Sequence, residues 1–129
     1  MSGALRIQGY AARYDTVDRA GDVFRGGAFA GTVPVPLLLQ HRGEPVGEIL
    51  AIGEDAKGLW IEADVTDVGV AAQIACGALP GLSVGFRATA ARQGAWREIT
   101  AAVLVEVSLV AQPMQARARV EVVTSSSRE

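Results

Sequence analysis

Short runs of alternating apolar and polar residues, separated by glycine or polar turns, recur along this sequence and favour strands over helices. The first run, Leu5 to Ala12, suits a strand with one face buried. Val46 to Gly53 and Gly58 to Val65 lie on either side of a polar segment, which predicts a hairpin. The spacing of the apolar residues becomes that of a helix only from Asp67 to Cys76. The chain is therefore predicted to be mainly β.

The helix and the remaining strands follow from local signals. Asp67 is placed to cap the helix and Gly77 to stop it, while Val70 and Ile74 share one face. Further β-prone runs are Pro34–His41, Ser83–Thr89, Trp96–Val110 and Arg119–Val123. Six or seven short strands with one or two short helices predict a small closed antiparallel barrel or a barrel-like sandwich.

Length and composition limit the classes of protein that this chain can belong to. Its 129 residues suit one domain, here residues 1–123, followed by a polar tail at 124–129. A net charge of −2 gives no basic surface for nucleic acid. No apolar run approaches the roughly eighteen residues of a membrane span, and the N-terminus does not look like a secretion signal. We therefore expect neither a nucleic acid nor a membrane as partner.

Cysteine and histidine are each present once, as Cys76 and His41. A single cysteine cannot form an internal disulfide, and one histidine with one cysteine does not make a metal site. We therefore expect no metal and no cofactor. Cys76 lies at the end of the predicted helix, where the helix dipole disfavours a thiolate, so we expect a buried and inert side chain.

Ser83 stands between two glycines in the sequence Gly81-Leu82-Ser83-Val84-Gly85, directly after a turn. Glycine lets another backbone approach closely, so Ser83 could be open to a bound peptide. A serine in an ordinary turn is the alternative. The pattern also matches the nucleophile elbow of α/β-hydrolases, but their histidine follows the serine, whereas His41 precedes Ser83. Ser83 is therefore predicted to be a strand residue outside that fold.

Two other polar residues lie in apolar strands. His41 ends one run and is the one imidazole available for general base catalysis, although a lone histidine is often structural. Glu106 and Ser108 share a face of the strand that runs to Val110. A carboxylate in so apolar a strand needs a partner, which could be water or an arginine such as Arg87 or Arg97.

Together these segments resemble the prohead proteases of tailed bacteriophages, the capsid maturation proteases, which are related to the herpesvirus assemblins. The resemblance rests on the strand before His41, on Gly-x-Ser83-x-Gly-Phe86, and on Leu104–Val110 followed by Pro113. Gly26-Gly27-Ala28-Phe29 and Gly58-Leu59 match two further motifs of the family. The resemblance covers roughly Gly9 to Val120 and implies a serine protease with a barrel fold and no cofactor.

The same resemblance implies roles for individual residues. His41 matches the general base and Ser83 the nucleophile, while a third residue orients the histidine. Glu106 is preferred to Ser108 for that third role, because a carboxylate stabilises an imidazolium far better than a hydroxyl does. Arg117 is the nearest candidate for the oxyanion hole. The family commonly has Pro-Ala-Asn where this chain has Pro113-Met114-Gln115.

The implied function is cleavage of segments of the scaffold and major capsid proteins, and of the protease itself, during capsid maturation. It would take place inside the assembling procapsid in the bacterial cytoplasm, by a homo-oligomer. The alternative is a non-enzymatic structural β-barrel of a virion or phage-like particle.

Overall fold

The computed structural model describes residues 4–123. Its elements in chain order are β1 (Leu5–Arg13), β2 (Asp22–Phe24), β3 (Leu37–Leu39), β4 (Arg42–Glu54), β5 (Gly58–Val65), α1 (Val68–Ala75), β6 (Gly81–Gln93), β7 (Arg97–Val110) and β8 (Val120–Val122). The predicted hairpin of β4 and β5, the long β6 and β7 strands and the single helix are confirmed. The predicted tail at 124–129 lies outside the described residues.

The strands form one curled sheet in the order β2-β7-β3-β4-β5-β1-β8, with β6 paired to β7. Eight strands are present within residues 4–123, against the six or seven predicted, because the short β2 has no alternation by which to recognise it. The sheet is mostly antiparallel, as predicted, but β2 and β3 both run parallel to β7.

The prediction that the barrel is closed was wrong, since the sheet is an open half-barrel. Closure would require β6 to pair along β8, but β8 spans only Val120–Val122 and pairs with β1. A single bridge between Gly81 and Arg119 is the ladder contact that connects the two regions in the described part of the chain. The last strand is too short to seal the sheet.

The concave side of the sheet is filled by apolar side chains. Phe24 packs between two other aromatic rings, with centroid distances of 5.0 Å to Phe29 and 4.9 Å to Phe86. Phe29, in the Gly26–Gly31 turn, is thereby anchored in the core. Other almost completely buried side chains are Ile7, Leu37, Leu59, Ile61, Leu82, Ile99 and Leu109.

The helix α1 begins and ends where its sequence predicts. The Asp67 side chain accepts a hydrogen bond from the Val70 backbone N–H at 3.0 Å, and Gly77 has a φ of +88° just after the helix. Val70 and Ile74 are buried against the core. The prediction of a buried Cys76 was wrong, because this residue lies at the C-terminal cap and its side chain is exposed.

Between residues 4 and 123, no helix has the length and apolar character needed to cross a bilayer.

Candidate active site

His41 occupies the tight turn between β3 and β4. The turn needs two successive residues in the left-handed region, Gln40 with φ 52° and His41 with φ 66°. Such backbone conformations are costly outside glycine, and they are held here by hydrogen bonds to β7. The Gln40 N–H donates to the Leu109 carbonyl at 3.0 Å, and the His41 N–H donates to Ser108 Oγ at 2.9 Å. The parallel pairing of β3 with β7 thus fixes where the imidazole lies.

Glu106 on β7 is the partner of the imidazole. Its Oε2 lies 2.5 Å from Nδ1 of His41, and its Oε1 accepts a hydrogen bond from Ser108 Oγ at 2.6 Å. A carboxylate can only accept, so Nδ1 carries the proton and Nε2 of the neutral ring is left with its lone pair. Glu106 is 8% exposed and His41 is far more open to solvent, which places a buried carboxylate behind an accessible imidazole.

Ser83 lies on β6 next to this pair. Antiparallel pairing sets Ser83 directly opposite Ser108 and Gly85 directly opposite Glu106. Residues that face each other in this way project from the same side of the sheet. Ser83 and His41 line one cavity of about 140 Å³. The structure therefore brings together the three residues singled out in the sequence: a hydroxyl, an imidazole and a carboxylate.

The comparison with family models decides the family. The model described as caudovirus prohead serine protease matches residues 2–129. The chain belongs to this family. This match confirms the serine protease family that the sequence was expected to belong to. No curated protein matches the sequence.

Solved structures agree on the fold. The protease of Kaposi's sarcoma-associated herpesvirus, in complex with a hexapeptide phosphonate inhibitor, is 15% identical with a TM-score of 0.67 over 95% of this chain. The protease of varicella-zoster virus is 18% identical with a TM-score of 0.63 over 92% of this chain. This member of the prohead family spans 66% and 64% of those two chains. At this identity the likeness concerns the fold.

The glycines of the Ser83 motif have a use that the sequence did not reveal. A Cβ on Gly85 would lie 2.2 Å from Glu106 Oε2, and one on Gly81 would lie 2.6 Å from Pro113 Cγ. Both contacts are far closer than real Cβ atoms allow. Gly85 therefore leaves space for the carboxylate that holds His41, and Gly81 leaves space for the loop after β7.

Within residues 4–123, neither Arg87 nor Arg97 pairs with the Glu106 carboxylate. Arg97 instead forms a bidentate ion pair with Asp22, at 2.9 and 3.1 Å. Within residues 4–123 the side-chain partners of the Glu106 carboxylate are His41 and Ser108. Arg117, the expected oxyanion residue, is exposed and does not line the cavity.

The acidic wall of the cavity was not predicted from the sequence. Asp18 and Asp22 line it together with Gln115, although they lie in a segment that reads as a polar loop. No local signal places them there, because the segment reaches the cavity through the parallel pairing of β2 with β7. In the described part of the chain no three histidine, cysteine or acidic side chains are close enough together to hold a metal ion.

Proposed function

We propose that this chain is a cofactor-free serine endopeptidase of capsid maturation, with Ser83 as nucleophile, His41 as general base and Glu106 as the residue that orients His41. The observation that carries the proposal is the 2.5 Å contact between His41 Nδ1 and Glu106 Oε2, with Ser83 in the same cavity. Membership of the prohead serine protease family supports it.

Each residue has a defined step in this mechanism. Ser83 Oγ attacks the scissile carbonyl carbon while Nε2 of His41 takes the hydroxyl proton. Glu106 accepts the Nδ1–H hydrogen bond and stabilises the imidazolium that forms. The leaving amine takes its proton from Nε2. Nε2 then takes a proton from water, whose oxygen attacks the acyl-enzyme carbonyl, and Ser83 Oγ leaves with the proton from Nε2.

The proposed substrates are segments of the major capsid and scaffold proteins, and the protease itself, inside an assembling procapsid in the bacterial cytoplasm. A homo-oligomer is the proposed working form. The family description, which names the prohead, supports this choice of substrates.

Cleavage of a partner protein tests the proposal. Purified chain is incubated with the major capsid protein of the same phage or phage-like particle, and products are followed by gel electrophoresis and mass spectrometry. We expect defined fragments with the wild-type chain and none with Ser83→Ala, since loss of the nucleophile costs on the order of a millionfold in turnover. Equal cleavage by Ser83→Ala would refute the mechanism. A folded wild-type chain that enters particles without cleaving would favour the structural β-barrel.

A further inference from the structure

The cavity beside Ser83 is larger than the catalytic groups require. Its volume is about 140 Å³, and its apolar walls include Phe24, Leu82, Phe86 and Met114. An apolar cavity of about 150 Å³ is large enough to hold a benzene molecule. This cavity therefore has room for one substrate side chain of similar size next to the nucleophile.

Most polar groups in the cavity wall already have partners. The Gln115 amide donates to the Arg13 carbonyl at 2.8 Å and accepts from the Arg13 N–H at 2.6 Å. The Asp22 carboxylate is neutralised by its bidentate pair with Arg97. These groups shape the wall without offering a free charge to a ligand.

Asp18 differs from them. Its Oδ1 accepts hydrogen bonds from the backbone N–H groups of Ala20 at 2.8 Å and Asp22 at 2.9 Å, which fix the side chain in the wall. Among residues 4–123 no cationic side chain lies within ion-pair distance of its carboxylate, and Arg97, which pairs with Asp22, interacts with Asp18 only at longer range. Burial raises the pKa of Asp18, as expected for a carboxylate that has lost part of its hydration. A cation in the cavity would restore that lost stabilisation.

From this arrangement we propose that the cavity is a specificity subsite for a lysine of the substrate next to the scissile bond, with Asp18 as its counter-ion. The inference rests on the proposed function. The four methylenes of lysine suit the apolar walls, and its ammonium group suits a fixed carboxylate that has no ion-pair partner. A glutamate side chain would meet like charge from Asp18, and an uncharged side chain would leave Asp18 without an ion-pair partner.

Two series of peptides test the subsite. They share one cleavage sequence and carry lysine, norleucine or glutamate either just before or just after the scissile bond. Norleucine matches the lysine stem without the charge. In one series we expect kcat/KM for lysine to exceed that for norleucine by at least about tenfold, and glutamate to be cleaved slowest.

The matched variant is Asp18→Asn, which keeps an oxygen for the two backbone hydrogen bonds and removes the charge. We expect it to lose the lysine preference, so that kcat/KM becomes similar for the lysine and norleucine peptides. Asp18→Ser serves as a second variant, and Glu44→Gln, an exposed site that does not line the cavity, controls for overall charge. Equal cleavage of lysine and norleucine peptides by the wild type in both series, or a preference that survives in Asp18→Asn, would overturn the subsite. If no peptide is cleaved, the proposed function itself fails.

Discussion

Glu106 uses its two carboxylate oxygens for different partners, Oε2 for the imidazole of His41 and Oε1 for the hydroxyl of Ser108. Ser108 in turn accepts the backbone N–H of His41. The ring and the backbone of His41 are therefore both held from β7. This separates two roles that are hard to distinguish in sequence, since Glu106 acts on the imidazole and Ser108 acts on the turn that presents it.

Substitution of Glu106 by glutamine should reduce turnover by up to ~10⁴ while the melting temperature changes little. Glutamine keeps the shape, but its NH₂ group facing Nδ1 favours the tautomer with the proton on Nε2, which cannot accept the Ser83 proton. Turnover on a cleaved peptide and thermal unfolding are measured on the same preparation. Ser108→Ala is the companion variant and should lose less activity. A large rate loss confined to Ser108→Ala would make Ser108 the third catalytic residue instead.

The β6–β7 hairpin is the element that assembles the site. Its register sets Ser83 opposite Ser108 and Gly85 opposite Glu106, so a slip of one residue would send one set of side chains to the other face of the sheet. The parallel strand β3 adds His41 from the other edge of β7.

Gly85→Ala tests how tightly this element is built. The new Cβ would overlap Glu106 Oε2, and the carboxylate would have to swing away from His41. We expect at least a hundredfold loss of kcat, close to that of Glu106→Gln, because the same contact is lost. Gly94→Ala is the matched control in the same hairpin, since its Cβ would lie 3.8 Å from the nearest atom, the Trp96 carbonyl oxygen. Full activity in Gly85→Ala would show that activity does not depend on the observed position of the Glu106 carboxylate.

Local signals in the sequence were sufficient for most elements and insufficient for their arrangement. Alternation predicted β1, β4 and β5, and the capping Asp67 predicted α1, because each depends on neighbouring residues. The three-residue β2 and its parallel pairing with β7 depend on contacts distant in sequence. His41, Ser83 and Glu106 could be grouped only through the family resemblance. The role of Gly85 could be recognised only from the register between β6 and β7, which depends on both strands.

On the scale of the whole molecule, Tyr14 links distant parts of the sheet. It follows β1 directly, is 6% exposed, and donates its hydroxyl to Glu54 at the end of β4. Glu54 also accepts the backbone N–H of Phe29 at 3.2 Å, which ties the Gly26–Gly31 turn to the same point. The pKa of Tyr14 is raised mainly by burial and, to a smaller degree, by the hydrogen bond to Glu54.

This predicts how stability depends on alkaline pH. The folded protein holds the Tyr14 proton more tightly than the unfolded chain, whose tyrosines titrate near pH 10. The stabilisation is therefore complete below about pH 10 and is lost as pH rises above it. In urea unfolding between about pH 8 and 11, the free energy of unfolding should fall as the pH rises. This fall should be much smaller in Tyr14→Phe. Tyr10→Phe removes a more exposed tyrosine, whose pKa is also raised by its hydrogen bond to Asp55, and should keep most of the fall. An unchanged fall in Tyr14→Phe would contradict the role given to this residue.

In the proposed mechanism Ser83 is a nucleophile activated by His41, and covalent labelling is the measurement that tests this claim. A fluorophosphonate reacts with an activated serine, whose oxygen displaces fluoride from phosphorus, and the adduct is located by peptide mass spectrometry. We expect one adduct per chain, on Ser83, with none in Ser83→Ala and much slower labelling in His41→Ala and Glu106→Gln. A wild-type chain that cleaves capsid protein but carries its adduct on another residue, or none at all, would contradict the claim.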